Sequence, residues 1–424
     1  MQQRQTPGRF HDSTLSLMAA VFLLEIGSGL QGVLLPVRAE IVGFETEAIG
    51  LLGTMYYAGF VLGCLRLPGT VRRIGHVRCY ASLSAAAASL ALVHALTAAP
   101  VVWMGLRLLA GFCFAGLFMV AESWINDRAT PQTRGSILGQ YMLATWIGVI
   151  VGKLVYPLAA PDTFELFALA SIAIALSMIP LTVTNGAVPT IPRPARLGLR
   201  DVYATAPLAV IGCLAAGLAN SAFWTFAPLY ARNEIGPGAP VALFVAVCVL
   251  GGALAQWPLG RFSDRIDRRW VIGGLSVSAA AAGSGLAVAP SLSMPQVYAL
   301  GATFGASALT LYSICIAYAN DRAQPEGYVD VSSHLLMVFG AGAIAGPFLC
   351  GLLISAVDYG GLFLFAAAIE LGLACLVAVV GLKRSPAPAA ERVAFAVQPP
   401  VSHGTQAVIP LQQGPEEEGA GGRA

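Results

Sequence analysis

The most constraining feature of this sequence is a series of apolar runs, each long enough to cross a bilayer as a helix. A helix of about 20 residues spans the roughly 30 Å of hydrocarbon. Only 11% of the 424 residues are charged, whereas soluble globular proteins carry about 25%. We therefore predict an all-α membrane protein with 12 spans: 14–36, 47–68, 77–97, 101–124, 135–157, 163–184, 205–231, 240–262, 270–290, 295–318, 332–356 and 360–382.

The segments between and around the spans give the domain organisation. We predict a cytoplasmic leader at 1–13, six-helix halves at 14–184 and 205–384, a cytoplasmic central loop at 185–204 and a disordered cytoplasmic tail at 385–424. No small-residue cleavage site follows the first run, so we expect a retained helix rather than a signal peptide.

The basic residues predict the orientation, because arginine and lysine favour the cytoplasmic side of a membrane. One side receives Arg4, Arg9, Arg72, Arg73, Arg78, Arg193, Arg196, Arg200, Arg265, Arg268, Arg269, Lys383 and Arg384. The opposite side receives only Arg38 and Arg232, together with several acidic residues. We expect both termini to be cytoplasmic, in a multi-pass protein of the cytoplasmic membrane.

The two halves repeat each other in sequence. Asn126-Asp127-Arg128-Ala129 recurs as Asn320-Asp321-Arg322-Ala323, an offset of 320 − 126 = 194, and a proline follows two residues later in both copies. Gly148 and Gly152 recur as Gly342 and Gly346 at the same offset, 342 − 148 = 194. Parallel repeats of this kind form transporters whose substrate site lies between the halves near the midplane.

The loop after span 8, Gly260-Arg261-Phe262-Ser263-Asp264-Arg265-Ile266-Asp267-Arg268-Arg269, resembles the G-x-x-x-D-R-x-G-R-K motif of the major facilitator superfamily. This loop makes the chain similar to small bacterial twelve-span permeases of the inner membrane, as do the internal repeat and the residues Arg107, Gly111 and Gly116. The resemblance implies a gating loop of Arg72, Arg73, Gly260, Asp264, Arg265 and Arg268. The copy after span 2 has Arg72 where the acidic residue belongs, and Asp267 stands where the family has glycine, so we assign a latch to Asp264 only.

Charged residues inside spans are the candidates for the transport site, because each costs about 2.5–3.5 kcal/mol in a bilayer unless it faces a cavity or partner. Glu25, Arg107 and Lys153 are candidates for substrate and proton coupling. Glu25 either exchanges a proton or forms a static pair with Arg107, and Lys153 either binds an anionic group or reaches towards the outer face. Glu370 in span 12 is expected to be peripheral.

Polar and aromatic residues within the spans predict the rest of the cavity. The candidates are Gln31, Tyr56, Tyr57, Gln140, Trp146, Asn220, Trp224, Gln256 and Tyr312. Gly342, Gly346 and Pro347 are predicted to pack and bend span 11.

The function predicted from these features is secondary active transport of a small solute, with proton-coupled efflux first and uptake of a metabolite as the alternative. A sensor that uses the same fold without flux is a second alternative. Gly27-Ser28-Gly29-Leu30-Gln31-Gly32 matches a dinucleotide motif by letter, but it lies in a predicted membrane helix and lacks the strand it needs. We expect no enzyme activity, cofactor, metal site or nucleic-acid partner, and a monomer in the bilayer.

Overall fold

The computed structural model describes residues 7–128, 133–182, 198–324 and 327–383, and this part of the chain is helical with short connections. The helices are α1 (Pro7–Ile41), α2 (Thr46–Ile74), α3 (His76–Ala95), α4 (Pro100–Arg128), α5 (Arg134–Val155), α6 (Glu165–Leu176), α7 (Met178–Thr182), α8 (Leu199–Thr205), α9 (Pro207–Tyr230), α10 (Ala239–Arg265), α11 (Arg268–Leu286), α12 (Met294–Asn320), α13 (Tyr328–Ala356) and α14 (Gly361–Lys383).

Twelve helical spans follow from these elements. Ten helices of the described chain are long and apolar enough to cross a membrane. The other two spans are α11 and the pair α6 and α7, which divides the predicted span 163–184 into two pieces. The short helix α8 lies within the predicted central loop and was not expected. The rest of that loop, 185–197, the last two residues of predicted span 6 and the predicted tail lie outside the described residues.

Glycines let the helices of each half cross at close range, and the two halves do this in the same way. A Cβ atom on Gly111 of α4 would collide with the carbonyl oxygen of Tyr56 on α2. A Cβ on Gly305 of α12 would collide with the carbonyl of Cys248 on α10. Because 305 − 111 = 194, this is the offset of the sequence repeat, and the repeat therefore preserves the closest backbone contacts.

The second pair of crossings also follows the repeat. Gly148 and Gly152 of α5 pack on the backbone of α1, and Gly342 and Gly346 of α13 pack on the backbone of α9. The predicted close-packing role of these glycines is visible in the structure, since no larger residue fits without moving a backbone. Pro347 lies within the single helix α13.

The halves meet along α2 with α13 and α5 with α10. Within the interface, a Cβ on Gly50 of α2 would lie 2.6 Å from the Pro347 carbonyl oxygen. Thr54 donates a hydrogen bond to the carbonyl of Ile344 at 2.7 Å. We call the end of the bundle where α1 begins and α14 ends the terminal face, and the opposite end the far face. The predicted orientation makes the terminal face cytoplasmic.

Candidate functional site

A central cavity of about 70 Å³ lies between the two halves. Its lining residues are Ser28, Gly29, Gln31, Gly32, Leu35, Pro36, Ile49, Leu52, Gly53, Tyr56, Tyr57, Arg107, Phe114, Val149, Lys153, Trp224 and Thr225. All except Trp224 and Thr225 belong to the first half. Sites for small molecules usually enclose about 300–1,000 Å³, so the cavity is small in this conformation.

Lys153 is only 2% exposed and lines this cavity. Its ammonium nitrogen lies 5.0 Å from the centroid of the Trp224 ring, which belongs to α9 of the other half. It also lies within electrostatic range of Glu25. Lys153 therefore points to the interior, and the alternative in which it reaches the outer surface is not the arrangement seen.

Arg107 lines the same cavity from α4. Its guanidinium carbon lies 4.2 Å from the centroid of the Tyr56 ring, and Tyr56 packs edge to face against Tyr57 at 5.4 Å. Aromatic faces attract cations electrostatically, so two tyrosines of α2 keep this arginine at the cavity wall. Six of the predicted site residues, Gln31, Tyr56, Tyr57, Arg107, Lys153 and Trp224, thus line one space.

Glu25 is buried, with 1% of its surface exposed, and lies beside the cavity rather than in its lining. Its Cβ atom packs where α1 crosses Gly148 of α5. It lies within electrostatic range of Tyr56, Tyr141 and Lys153. The predicted pairing of Glu25 with Arg107 stays a prediction.

The remaining cavity candidates lie away from this space in the present conformation. Gln140 is exposed and donates to the Ser136 hydroxyl on its own helix. Trp146, Asn220, Gln256 and Tyr312 are buried elsewhere among the helices. Their contribution to a more open cavity stays a prediction.

Glu122 is a buried carboxylate that the sequence reasoning did not single out. It accepts a hydrogen bond from the Tyr141 hydroxyl at 3.3 Å, and Tyr141 also lies within electrostatic range of Glu25. The three groups lead from the cavity region towards the terminal face. Glu122 could have been found as an acidic residue two positions before the end of the predicted span 101–124.

The far face is held shut by contacts that cross between the halves. Glu40 at the end of α1 forms an ion pair with Arg232 at 3.2 Å. The same carboxylate accepts hydrogen bonds from Asn233 at 2.8 Å and Tyr359 at 2.5 Å. All three partners belong to the second half. We call Glu40 and these partners the far-face clamp.

On the terminal face, two gating-loop residues of the second half, Asp264 and Arg268, form one network with Asp321. Arg268 is buried, and it pairs with Asp264 of α10 at 2.7 Å and with Asp321 after α12 at 3.1 Å. The repeated Asn-Asp-Arg motif thus meets the gating loop through Asp321, a link that sequence spacing did not reveal. The predicted Asp264 latch contacts an arginine within its own half, and its release during gating stays a prediction.

Asp267, which replaces the family's glycine, has a structural role. Its carboxylate accepts a hydrogen bond from the Arg269 backbone NH at 3.0 Å and so caps α11. Burial alone would raise the pKa of Asp267, but the hydrogen bonds and charge of the Arg269 guanidinium outweigh it and lower that pKa. An acidic residue is favoured here because it also faces the positive end of the helix.

At the equivalent corner of the first half, a histidine stands where the second half has Arg268. His76 is the first residue of α3, as Arg268 is of α11, and its Nε2 lies 3.1 Å from the Ser123 hydroxyl of α4. Arg72 and Arg73 are exposed. The position that Asp264 holds in the second motif copy is thus an exposed arginine, Arg72, in the first.

Glu370 lies apart from the central cavity. It is fully buried on α14 and interacts with Ser276 of α11, both in the second half.

Comparisons with known proteins agree with this architecture. The sequence model of the Major Facilitator Superfamily matches residues 17–326 and 209–411. The chain belongs to the major facilitator superfamily. Its relatives include the uncharacterised MFS-type transporter YcaD of Salmonella arizonae and of Salmonella typhimurium strain LT2, each 26% identical over 362 residues, covering 84% of this chain and 92% of the relative.

Solved structures of superfamily members share the fold. The nucleoside transporter NupG superposes with a TM-score of 0.74 at 16% identity, covering 88% of this chain and all of that one. A bacterial homologue of the human lysosomal transporter Spinster, inward-facing and occupied, gives 0.74 at 14% identity over 92% of this chain and all of its own. Identities this low establish the shared fold and do not transfer a substrate.

Proposed function

We propose that this superfamily member is a secondary active transporter that carries a small solute through the central cavity by alternating access. The observation that carries the proposal is a cavity lined by two cationic side chains, the buried Lys153 and the half-buried Arg107, with contacts between the halves on its far-face side. Such contacts break and re-form when the halves rock against each other, so the cavity can open to one side at a time.

Proton coupling is assigned to Glu25. It is a buried carboxylate beside the cavity, and Tyr141 and Glu122 provide polar groups between it and the terminal face. In this scheme a proton reaches Glu25 in one state and leaves in the other, while the solute moves outward in exchange. A second buried acid, Glu122, is hydrogen-bonded to Tyr141, which lies within electrostatic range of Glu25, and this supports the route better than a static pair with Arg107.

Uptake is the second candidate direction, and one observation favours it. Glu25 and Lys153 lie within electrostatic range of each other. A proton on Glu25 leaves Lys153 without a compensating charge, so a negatively charged solute would bind together with the proton rather than in exchange for it. Proton and solute would then move in the same direction.

The test uses right-side-out and everted membrane vesicles incubated with an extract of small cellular metabolites. Accumulation in energised everted vesicles, abolished by a protonophore, supports export, and accumulation in right-side-out vesicles supports uptake. Glu25→Gln is expected to abolish proton-driven accumulation while solute exchange at equilibrium persists. Accumulation in neither orientation would reject transport and favour the sensor alternative. Unchanged proton-driven accumulation in Glu25→Gln would remove Glu25 from the coupling scheme.

A further inference from the structure

We infer that the central cavity recognises a small organic monoanion, an assignment that rests on the proposed function and names its substrate class. The anionic group is held by Lys153 and Arg107, and its body contacts the apolar wall formed by residues such as Leu52 and Phe114.

The charge of the cavity is the first argument. Its lining contains two cationic side chains and no carboxylate, and no ion pair within 4.0 Å joins Lys153 or Arg107 to an acid in the described chain. Glu25 is the acid within electrostatic range of Lys153, so two cationic side chains face a single carboxyl group beside the cavity. Since uncompensated buried charges are unfavourable, one negative charge on the ligand completes the site.

The other buried acids do not change this balance. Glu122 lies 15 residues beyond Arg107 on α4, which separates them by about 22 Å along the helix axis. Glu370 belongs to the packing of α11 and α14.

The hydrogen-bonding groups of the cavity are the second argument. The side-chain nitrogen Nε2 of Gln31 and the indole Nε1 of Trp224 are buried without a hydrogen-bond partner, and both residues line the cavity. Both nitrogens only donate. Hydrogen-bond donors and cations together favour a ligand rich in hydrogen-bond acceptors, such as a carboxylate. The planar guanidinium of Arg107 matches the geometry of a carboxylate. A cationic solute would meet repulsion, and a neutral one would leave the positive charge uncompensated.

The test measures binding to the purified full chain by thermal stabilisation and tryptophan fluorescence. The probes are acetate, lactate and benzoate, each compared with its neutral amide, and phthalate as a dianion. At least one monocarboxylate is expected to bind. Its amide should bind more weakly by roughly tenfold or more, because charge-assisted hydrogen bonds are about twice as strong as neutral ones. Phthalate should also bind more weakly by roughly tenfold or more, because it carries a second negative charge that the site does not compensate.

Variants separate a charge effect from misfolding. Lys153→Gln and Arg107→Gln should each weaken carboxylate binding, whereas Lys153→Arg should retain the preference for anion over amide. Glu25→Gln should tighten binding by removing a nearby negative charge. The matched control is Arg261→Gln, which removes a cation 4.1 Å from the Trp257 ring, outside the cavity. This variant should leave carboxylate binding unchanged.

Each outcome bears on one claim. Equal binding of amide and carboxylate, no binding by any monocarboxylate, or carboxylate binding indifferent to both cavity cations would overturn the monoanion assignment. Accumulation of a neutral solute in vesicles would reject the anion while leaving transport intact. Anion binding without flux in either vesicle orientation would keep the site and reject the proposed transport.

Discussion

Removal of the Glu40 carboxylate should open the far face. Glu40→Ala breaks one partly exposed ion pair and two hydrogen bonds to a charged acceptor. A partly exposed pair contributes about 0.5 kcal/mol, and hydrogen bonds to a charged group about 1.5 kcal/mol each before discounting for solvent. Since Glu40 is 22% exposed, we take about 2 kcal/mol in total, which is roughly a 30-fold shift in the closed-to-open ratio.

The assay is the reaction of a cysteine placed at Leu35, a 3% exposed cavity residue near the far face, with an impermeant thiol reagent. The background lacks Cys64 and Cys375, the two native cysteines that are not buried. Glu40→Ala should raise the reaction rate by an order of magnitude or more. Glu45→Ala, which removes an exposed carboxylate from the same face, is the control and should leave the rate unchanged. Equal rates in both variants and the parent would refute the clamp.

Three further predictions concern stability. Gly111→Val should destabilise the protein by about 3 kcal/mol or more because the valine side chain meets the Tyr56 backbone. Gly274→Ala, in open space, should stabilise the protein by about 0.5–1 kcal/mol. Equal melting temperatures of the two variants would contradict the close crossing of α2 and α4 at Gly111. Asp267→Ala should cost about 1–2 kcal/mol and Asp267→Asn less, since asparagine also caps helices. The pKa of Asp267 is lowered in the folded protein, so the stabilisation by its carboxylate is complete above the unfolded pKa of about 3.9 and is lost only as pH falls through the lower folded pKa. The loss of stability in Asp267→Ala should therefore be equal at about pH 6 and 8. A difference between these pH values would argue against the carboxylate as the source of the stabilisation. Glu370→Leu should leave transport unchanged and stability equal or higher by about 1–3 kcal/mol, and reduced flux would place Glu370 in the pathway.

The sequence was sufficient to predict the architecture because its signals are local and repeated. Span lengths follow from hydrocarbon thickness. Glycines 194 residues apart make equivalent helix crossings in the two halves. Lys153 and Arg107 could be selected because a charge inside a span requires a special environment.

Other parts of the site depend on which helix faces which, and spacing along the chain does not determine this. The meeting of Arg268 with Asp321 and the clamp around Glu40 join segments more than 50 residues apart. Gln31 and Gln140 were both predicted to line the cavity, yet of the two only Gln31 faces it here. The division of span 6 into α6 and α7 could have been expected from Pro180, because proline has no NH to bond the carbonyl of Leu176, where α6 ends.

The cavity wall is unequally shared: apart from Trp224 and Thr225, its residues come from the first half. At the repeat-related positions, the first half has Lys153 and the second has Pro347, which packs against Gly50 and Gly53 of α2. The first half thus forms most of the cavity wall, and the second half covers it. A chimaera that joins the first half of this protein to the second half of a relative should therefore inherit its choice of solute from this protein, while the relative's half sets how readily the cavity closes.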